Sequence, residues 1–175
     1  MRRSVANHLN DLGRQHPDLV VATTAAWLAA PDANTAALVR HALRSLIKKG
    51  NPQALAQQGF HAVDVDVRGP VLDAAAVPFG GVIGFSVGIR NVGGEPARLA
   101  VDYVMHHQKA NGTLTGKTFK LTTVTLAPGE RVDLSRSHSF RLITTRRYHA
   151  GVHALEVQVN GVLSGRAEFT LLSEE

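Results

Sequence analysis

The spacing of apolar residues changes at Gly59, and that change constrains the fold more than any other feature. Before it, apolar side chains recur every three or four positions; after it they alternate. A period near 3.6 buries one stripe of a helix, whereas a period of 2 buries one face of a strand. One uniform architecture cannot satisfy both. The chain of 175 residues therefore reads as α+β in two domains, a short helical segment over 1–59 and an all-β segment over 60–175.

The run RRSVANHLNDL (2–12) predicts a first helix with Val5, Leu9 and Leu12 as its apolar stripe. At 100° per residue, Arg3, Asn7, Asn10 and Arg14 fall together on the opposite side. Two guanidiniums and two carboxamides suit an anionic ligand with hydrogen-bonding edges, although such a strip also serves as a plain solvated face. The run PDLVVATTAAWLA, opened by Pro17 and Asp18, predicts a second helix that is apolar on nearly all sides, with Trp27 as a packing residue. A third, TAALVRHALRSLIKK, begins at Thr35 behind Asp32 and Asn34 and stops at Gly50. Its apolar face is Leu38, Val39, Ala42, Leu43, Leu46 and Ile47, and Arg40, His41, Arg44 and Lys48 gather on the other side. Pro52 to Gln58 predicts a short last helix ending at Gly59. Helices of this length, joined by proline- or glycine-marked turns and with basic residues on alternate helices, have the form of HEAT-like repeats. Two helical pairs are few for a closed solenoid, and the first helix lacks a capping residue, so the segment reads as the last part of a longer array.

After Gly59 the alternation predicts about seven short strands. Val63, Val65 and Val67, then Ile83 to Ile89, then Leu99 to Met105, show one apolar face each. FKLTTVTL (119–126), RVDLS (131–135), HALEVQV (153–159) and RAEFTLL (166–172) follow, with Asn160-Gly161 as a hairpin signal. This pattern predicts an antiparallel sandwich of immunoglobulin-like type. Which of the strands around 102–107 and 119–126 lies at an edge is open.

Composition removes several function classes. The chain has no cysteine, so neither a disulfide nor a thiolate zinc site is available. No run reaches the roughly 18 to 20 apolar residues of a membrane span, and the first residues carry no signal-type apolar run. The cytoplasm is the expected compartment. His106-His107 and the pair His149 and His153 do not predict a metal site, because adjacent strand residues point to opposite faces and no carboxylate is suitably spaced.

Charge distribution says more than the net charge of +5. Residues 1–59 hold seven Lys and Arg against three acids, and residues 109–147 hold eight against two. Cations that neutralise phosphates release condensed counterions, so two such regions favour a long polyanion over a small acidic ligand. In the second region the run Thr144 to His149 offers hydroxyls, the pair Arg146 and Arg147, and the ring of Tyr148. These suit phosphate clamping and groove insertion. Tyr148 also fits the corner tyrosine that bonds back to backbone in such sandwiches.

The runs RRSVANHLNDLGRQHPDLVV, LVRHALRSLIKKGNPQALAQQGF and ITTRRYHAGVHALEVQVNG together resemble the C-terminal half of AlkC-type bacterial DNA alkylation repair glycosylases. The resemblance covers nearly the whole chain. It implies HEAT-like repeats whose concave face binds double-stranded, alkylated DNA, an immunoglobulin-like domain that helps encircle it, and hydrolysis of the N-glycosidic bond of cationic bases such as N3-methyladenine with no metal or organic cofactor. The implied DNA-binding residues are Arg3, Asn7, Asn10, Arg14, Arg40, His41, Arg44, Lys48, Arg146, Arg147 and Tyr148. Where the related AlkD-type enzymes have an active-site tryptophan and arginine, this chain has Asn7 and Asn10, which makes these two the candidate catalytic positions. Such chemistry needs a carboxylate near the sugar; the resemblance implies one on an upstream helix, and within this chain Asp11, the acid of the first helix, is the further candidate catalytic residue. The expectation is thus a DNA-binding part of a glycosylase, inactive without upstream repeats. The alternative is a non-enzymatic scaffold that binds protein.

Overall fold

The computed structural model describes residues 2–142, 144 and 147–174. It divides into two compact units, Met1–Ala62 and Val63–Glu175. The first is helical and the second is all β, so the chain is a helical segment followed by an immunoglobulin-like β domain. Among the described residues no helix is long and apolar enough to cross a membrane.

In the helical unit α1 (Arg2–Leu12) and α2 (Pro17–Ala29) both pack on α3 (Thr35–Ala42), and α4 (Arg44–Lys48) and α5 (Pro52–Ala56) complete the unit. Pro17 occupies the first turn of α2, where its missing N–H costs nothing. Asp32 accepts from Asn34 N–H at 2.8 Å and from the Thr35 hydroxyl at 2.8 Å, while Thr35 Oγ1 accepts from Asp32 N–H, which fixes the start of α3. Asn51 caps α5 by accepting from Ala54 N–H at 2.9 Å. The core is Ala6, Leu9, Val20, Val21, Val39, Ala42, Leu43, Leu46 and Ala54, with Leu12, Trp27 and Leu38 partly buried against it.

Two sequence expectations about these helices need correction. Val5 is 42% exposed while Ala6, Leu9 and Asn10 are buried, so the buried face of α1 is turned by about one residue from the stripe Val5, Leu9, Leu12. The single helix expected from Thr35 to Lys49 is also interrupted at Leu43. Its cause is Asn10, whose Oδ1 accepts the backbone N–H of Ser45 at 3.1 Å. A side chain that enters the backbone ladder breaks or bends a helix at that point.

Among the described residues the sandwich holds eight strands: β1 (Val65–Leu72), β2 (Ala76–Val77), β3 (Val82–Asn91), β4 (Ala97–Gln108), β5 (Leu114–Leu126), β6 (Arg131–Ser139), β7 (Gly151–Val159) and β8 (Val162–Leu171). One sheet has the order β1-β3-β6 and the other β2-β8-β7-β4-β5. The strand β4 is therefore interior, between β7 and β5, and β5 lies at an edge. Ile83, Phe85, Val87 and Ile89 of β3 face Leu99, Val101, Tyr103 and Met105 of β4 through a core shared with Leu155, Val157, Phe169 and Leu171. Asn160 and Gly161 carry φ of 44° and 86°, the left-handed pair that a tight hairpin requires. Val63, expected to open the first strand, precedes it, since β1 begins pairing at Val65 against Asn91.

Two bulges meet across the sandwich. The β1 register shifts between Arg68 and Val71, and the β8 register skips Gly165. Gly165 has φ of 64°, and a Cβ there would stand 2.0 Å from the Gly69 carbonyl oxygen. Only glycine permits that approach.

Candidate nucleic-acid interface

The helical cluster is built from three elements. Asn7 of α1 meets His41 of α3 and Arg44 of α4: His41 Nε2 lies 2.8 Å from Asn7 Oδ1, and Arg44 Nη1 donates to the same oxygen at 3.1 Å. Arg44 Nη1 also contacts His41 Nε2 directly. In one tautomer His41 donates to Asn7; in the other it accepts from Arg44. Either way a carboxamide oxygen gathers an imidazole and a guanidinium that are i, i+3 neighbours. Arg40, Arg44 and Lys48 are exposed around this cluster.

The four residues expected on one polar strip of α1 separate. Arg3 is exposed and Asn7 half-buried. Arg14 is exposed and 3.8 Å from Asp11, each about two-thirds exposed, a weak solvent pair. Asn10 is 2% exposed. Its oxygen is committed to Ser45, so the expectation of Asn10 on a ligand-facing strip is corrected: it lies inside and orders the start of α4. The signal for this was available only in three dimensions, because a carboxamide that enters another helix's ladder leaves no mark on its own helix's periodicity.

In the sandwich the registers place the connections at two ends. His106 pairs with Ala154, Gly151 with Leu171, and Val82 with Ser139. The β4–β5 turn, the β6–β7 connection and the β2–β3 turn therefore share one end, opposite to that where β1 starts. Lys109, Arg141 and Arg147 are exposed at this loop end, and Glu174 lines the same surface hollow as Arg141. The basic stretch 109–147 is otherwise dispersed. Arg131 belongs to the other end and is held by Asp133 at 2.6 Å. Lys117 and Lys120 lie on the edge strand β5, with the Lys117 ammonium 5.2 Å from the Phe119 ring centre. The second basic region of the sequence is thus several surfaces, of which the loop end collects three cations among the described residues.

Tyr148 is 6% exposed, with its ring 5.2 Å from Phe140 and 5.6 Å from His107. Its expected role in groove insertion is corrected on that ground: the ring is core, and it anchors the connection that presents Arg147. Arg146 lies outside the described residues. Strand alternation sends His106 outward, 2.5 Å from Glu156, and His107 inward. Among the described residues no group of three or more metal-ligating side chains is placed to hold an ion.

Sequence reasoning passed over the inner histidines. His107, His138 and His153 are all buried and surround Phe140, with ring centres 5.8, 5.2 and 5.2 Å from it. Tyr103 Oη lies 3.1 Å from His138 Nδ1, and burial pushes the Tyr103 phenol above its usual range, with the Arg136 charge opposing. Only the inward phase of 103, 105 and 107 on β4 hinted at the cluster.

The fold defines a two-unit protein with a helical segment ahead of an immunoglobulin-like sandwich. Residues 66–173 match a family profile described as the C-terminal Ig-like domain of the uncharacterised protein YhaZ, and the chain belongs to that family. YhaZ of Bacillus subtilis is 31% identical over 170 residues, which cover 97% of this chain and 47% of YhaZ. The resemblance to AlkC-type proteins holds over nearly the whole chain. The alkylpurine DNA glycosylase AlkC of Pseudomonas fluorescens, solved bound to DNA containing an abasic site analog, is 38% identical with a TM-score of 0.91 over 98% of this chain and 48% of that one. The chain thus spans about half the length of these relatives. A β-glucosidase of Listeria innocua, 12% identical with a TM-score of 0.54 over 66% of this chain and 17% of that chain, shares the fold alone.

Proposed function

We propose that this chain is the duplex-binding C-terminal part of a DNA alkylation repair glycosylase that excises cationic alkylpurines such as N3-methyladenine in the cytoplasm. The observation that carries the proposal is the match to AlkC, a glycosylase solved on DNA, at 38% identity across 98% of this chain. Two local features support it. The helical unit, taken as HEAT-like repeats, presents Arg3, Arg14, Arg40, His41, Arg44 and Lys48 for phosphates, and the loop end of the sandwich presents Lys109, Arg141 and Arg147.

Roles divide by burial. Asn7, its oxygen taken by His41 and Arg44, offers its amide N–H groups to a sugar or base edge. Asn10 acts from inside by setting α4 and hence Arg44. The oxocarbenium-like charge of base loss calls for a carboxylate. Asp11, exposed and facing Arg14, is the acid α1 offers, and the main carboxylate is proposed to lie in the half of the relatives that this chain does not span.

Base release from an N3-methyladenine duplex tests the proposal. This chain alone should release base no faster than the spontaneous rate, and its fusion to the N-terminal half of a full-length relative should release it enzymatically. A fusion that binds duplex but never releases base would contradict the proposal. Release by the chain alone would move the catalytic carboxylate into it, with Asp11 the first candidate.

A further inference from the structure

The connection that presents Arg147 is tied from beneath by two side chains. His153 of β7, 0% exposed, has Nε2 at 2.9 Å from the His149 carbonyl oxygen and donates to it. Gln108 of β4 donates from Nε2 to the Ala150 carbonyl at 2.8 Å. The backbone just after Arg147 is thus held by an imidazole with no access to water. The other ring nitrogen of His153, Nδ1, is buried without a hydrogen-bond partner.

The surroundings of that nitrogen are aromatic and titratable but not acidic. Phe140 meets the His153 ring edge-on at 5.2 Å and Phe169 of β8 stacks at 5.7 Å. His107 of β4 lies 5.8 Å away and contacts His138 of β6 and Tyr148 of the connection, each at 5.6 Å. Tyr103 of β4 reaches the group through His138, and His149 stands at the carbonyl itself. No Asp or Glu is buried among the described residues.

We infer that His153 is a proton-sensitive latch, whose neutral ring holds segment 147–150 so that Arg147 is presented, and whose protonation releases that segment and with it the polyanion grip of the loop end. The inference rests on the reading that this end binds duplex DNA. Protonation would place an N–H at Nδ1 with no acceptor, in a site that cannot solvate the charge. Burial accordingly pushes His153 below the usual imidazole range; the bond to the His149 carbonyl opposes this, and the His149 ring charge adds to it. Because the folded value is depressed, the released segment binds the proton first. The latch is at full strength above the ordinary imidazole value of about 6.5 and weakens as pH falls from there toward the folded value. That direction opposes the usual gain in polyanion affinity when exposed histidines acquire charge.

The experiment measures binding of the full chain to a short undamaged duplex as a function of pH, for wild type, His153→Gln and Arg147→Ala. Glutamine keeps an N–H donor for the carbonyl and does not titrate. Wild-type affinity should fall about tenfold between about pH 7.5 and about pH 5.5, His153→Gln should hold or gain affinity across that range, and Arg147→Ala should be weaker at neutral pH and likewise show no fall. A His153→Gln profile that follows wild type overturns the latch. Loss of salt-dependent duplex binding at neutral pH in the wild type would instead overturn the DNA reading. Amide-exchange protection of Tyr148, His149 and Ala150 in the wild type decides independently of DNA and of whether the variant folds: a fall in protection on acidification supports the latch, and unchanged protection overturns it.

Discussion

Asn10 and Ser45, thirty-five residues apart, share a hydrogen bond: the Asn10 side-chain oxygen accepts the Ser45 backbone N–H at 3.1 Å, and α4 begins there. The bond couples a buried residue of α1 to the helix that carries Arg44. Asn10→Ala leaves the Ser45 donor without its partner and should cost about 1–3 kcal/mol, the desolvation penalty of a half-buried donor. Asn10→Asp keeps an acceptor and should recover part of that loss. Urea unfolding of the three proteins checks it; equal midpoints would show that α4 is set by other contacts.

Asn7, one turn earlier, should behave in the opposite way. It is half-exposed, and alanine is the better helix former, so Asn7→Ala should change stability by less than about 0.5 kcal/mol. The change frees His41 and Arg44 from a common acceptor. In a catalytically competent fusion it should lower single-turnover base excision by about tenfold or more, the effect expected of a group that contacts the reacting nucleotide. Excision that is unchanged while duplex affinity falls would make Asn7 a backbone-positioning residue.

Gly165 and Gly112 separate backbone conformation from crowding. Both have positive φ, 64° and 79°, but a Cβ at 165 would stand 2.0 Å from the Gly69 oxygen, whereas at 112 nothing lies within 4 Å. Gly112→Ala should cost about 1–2 kcal/mol, the left-handed penalty alone. Gly165→Ala should cost that and about 1–3 kcal/mol more for overpacking between β8 and β1. Calorimetric melting checks the order; equal losses would mean that the two bulges separate easily.

Acid should destabilise the sandwich through His153. Its folded value lies below the ordinary one, so the contribution is complete above about pH 6.5 and is lost as pH falls below that. Unfolding of His153→Gln should show a shallower loss of stability over the same range than wild type. Parallel slopes would assign acid sensitivity to other groups.

Much of this was legible in the chain itself because it depends on near neighbours. Strand alternation selects Ile83, Phe85, Val87 and Ile89 for the core, and turn chemistry marks Gly50, Gly59, Asn160 and Gly161, all of which have positive φ. Pairings between distant residues were not legible. Asn10 looks like a surface residue by its own helix and is buried by another helix's need for an acceptor. Tyr148 reads as a loop aromatic, yet Phe140 and His107 draw it inward. The two-residue β2 is too short for any period, since its place comes from parallel pairing with Thr170 and Leu171. The dispersal of the basic stretch 109–147 follows from strand register, which charge counting cannot see.

On the proposed function, the chain grips duplex DNA through phosphate contacts on both units. Binding of an undamaged duplex measured against salt tests it most directly, with Arg40→Ala/Arg44→Ala and Arg141→Ala/Arg147→Ala as paired variants. Each phosphate contact contributes about 0.9 to the slope of log K against log salt. The wild-type slope should be steep, and each double variant should flatten it by about one to two units. Slopes that neither pair alters, or wild-type binding indifferent to salt, would contradict it.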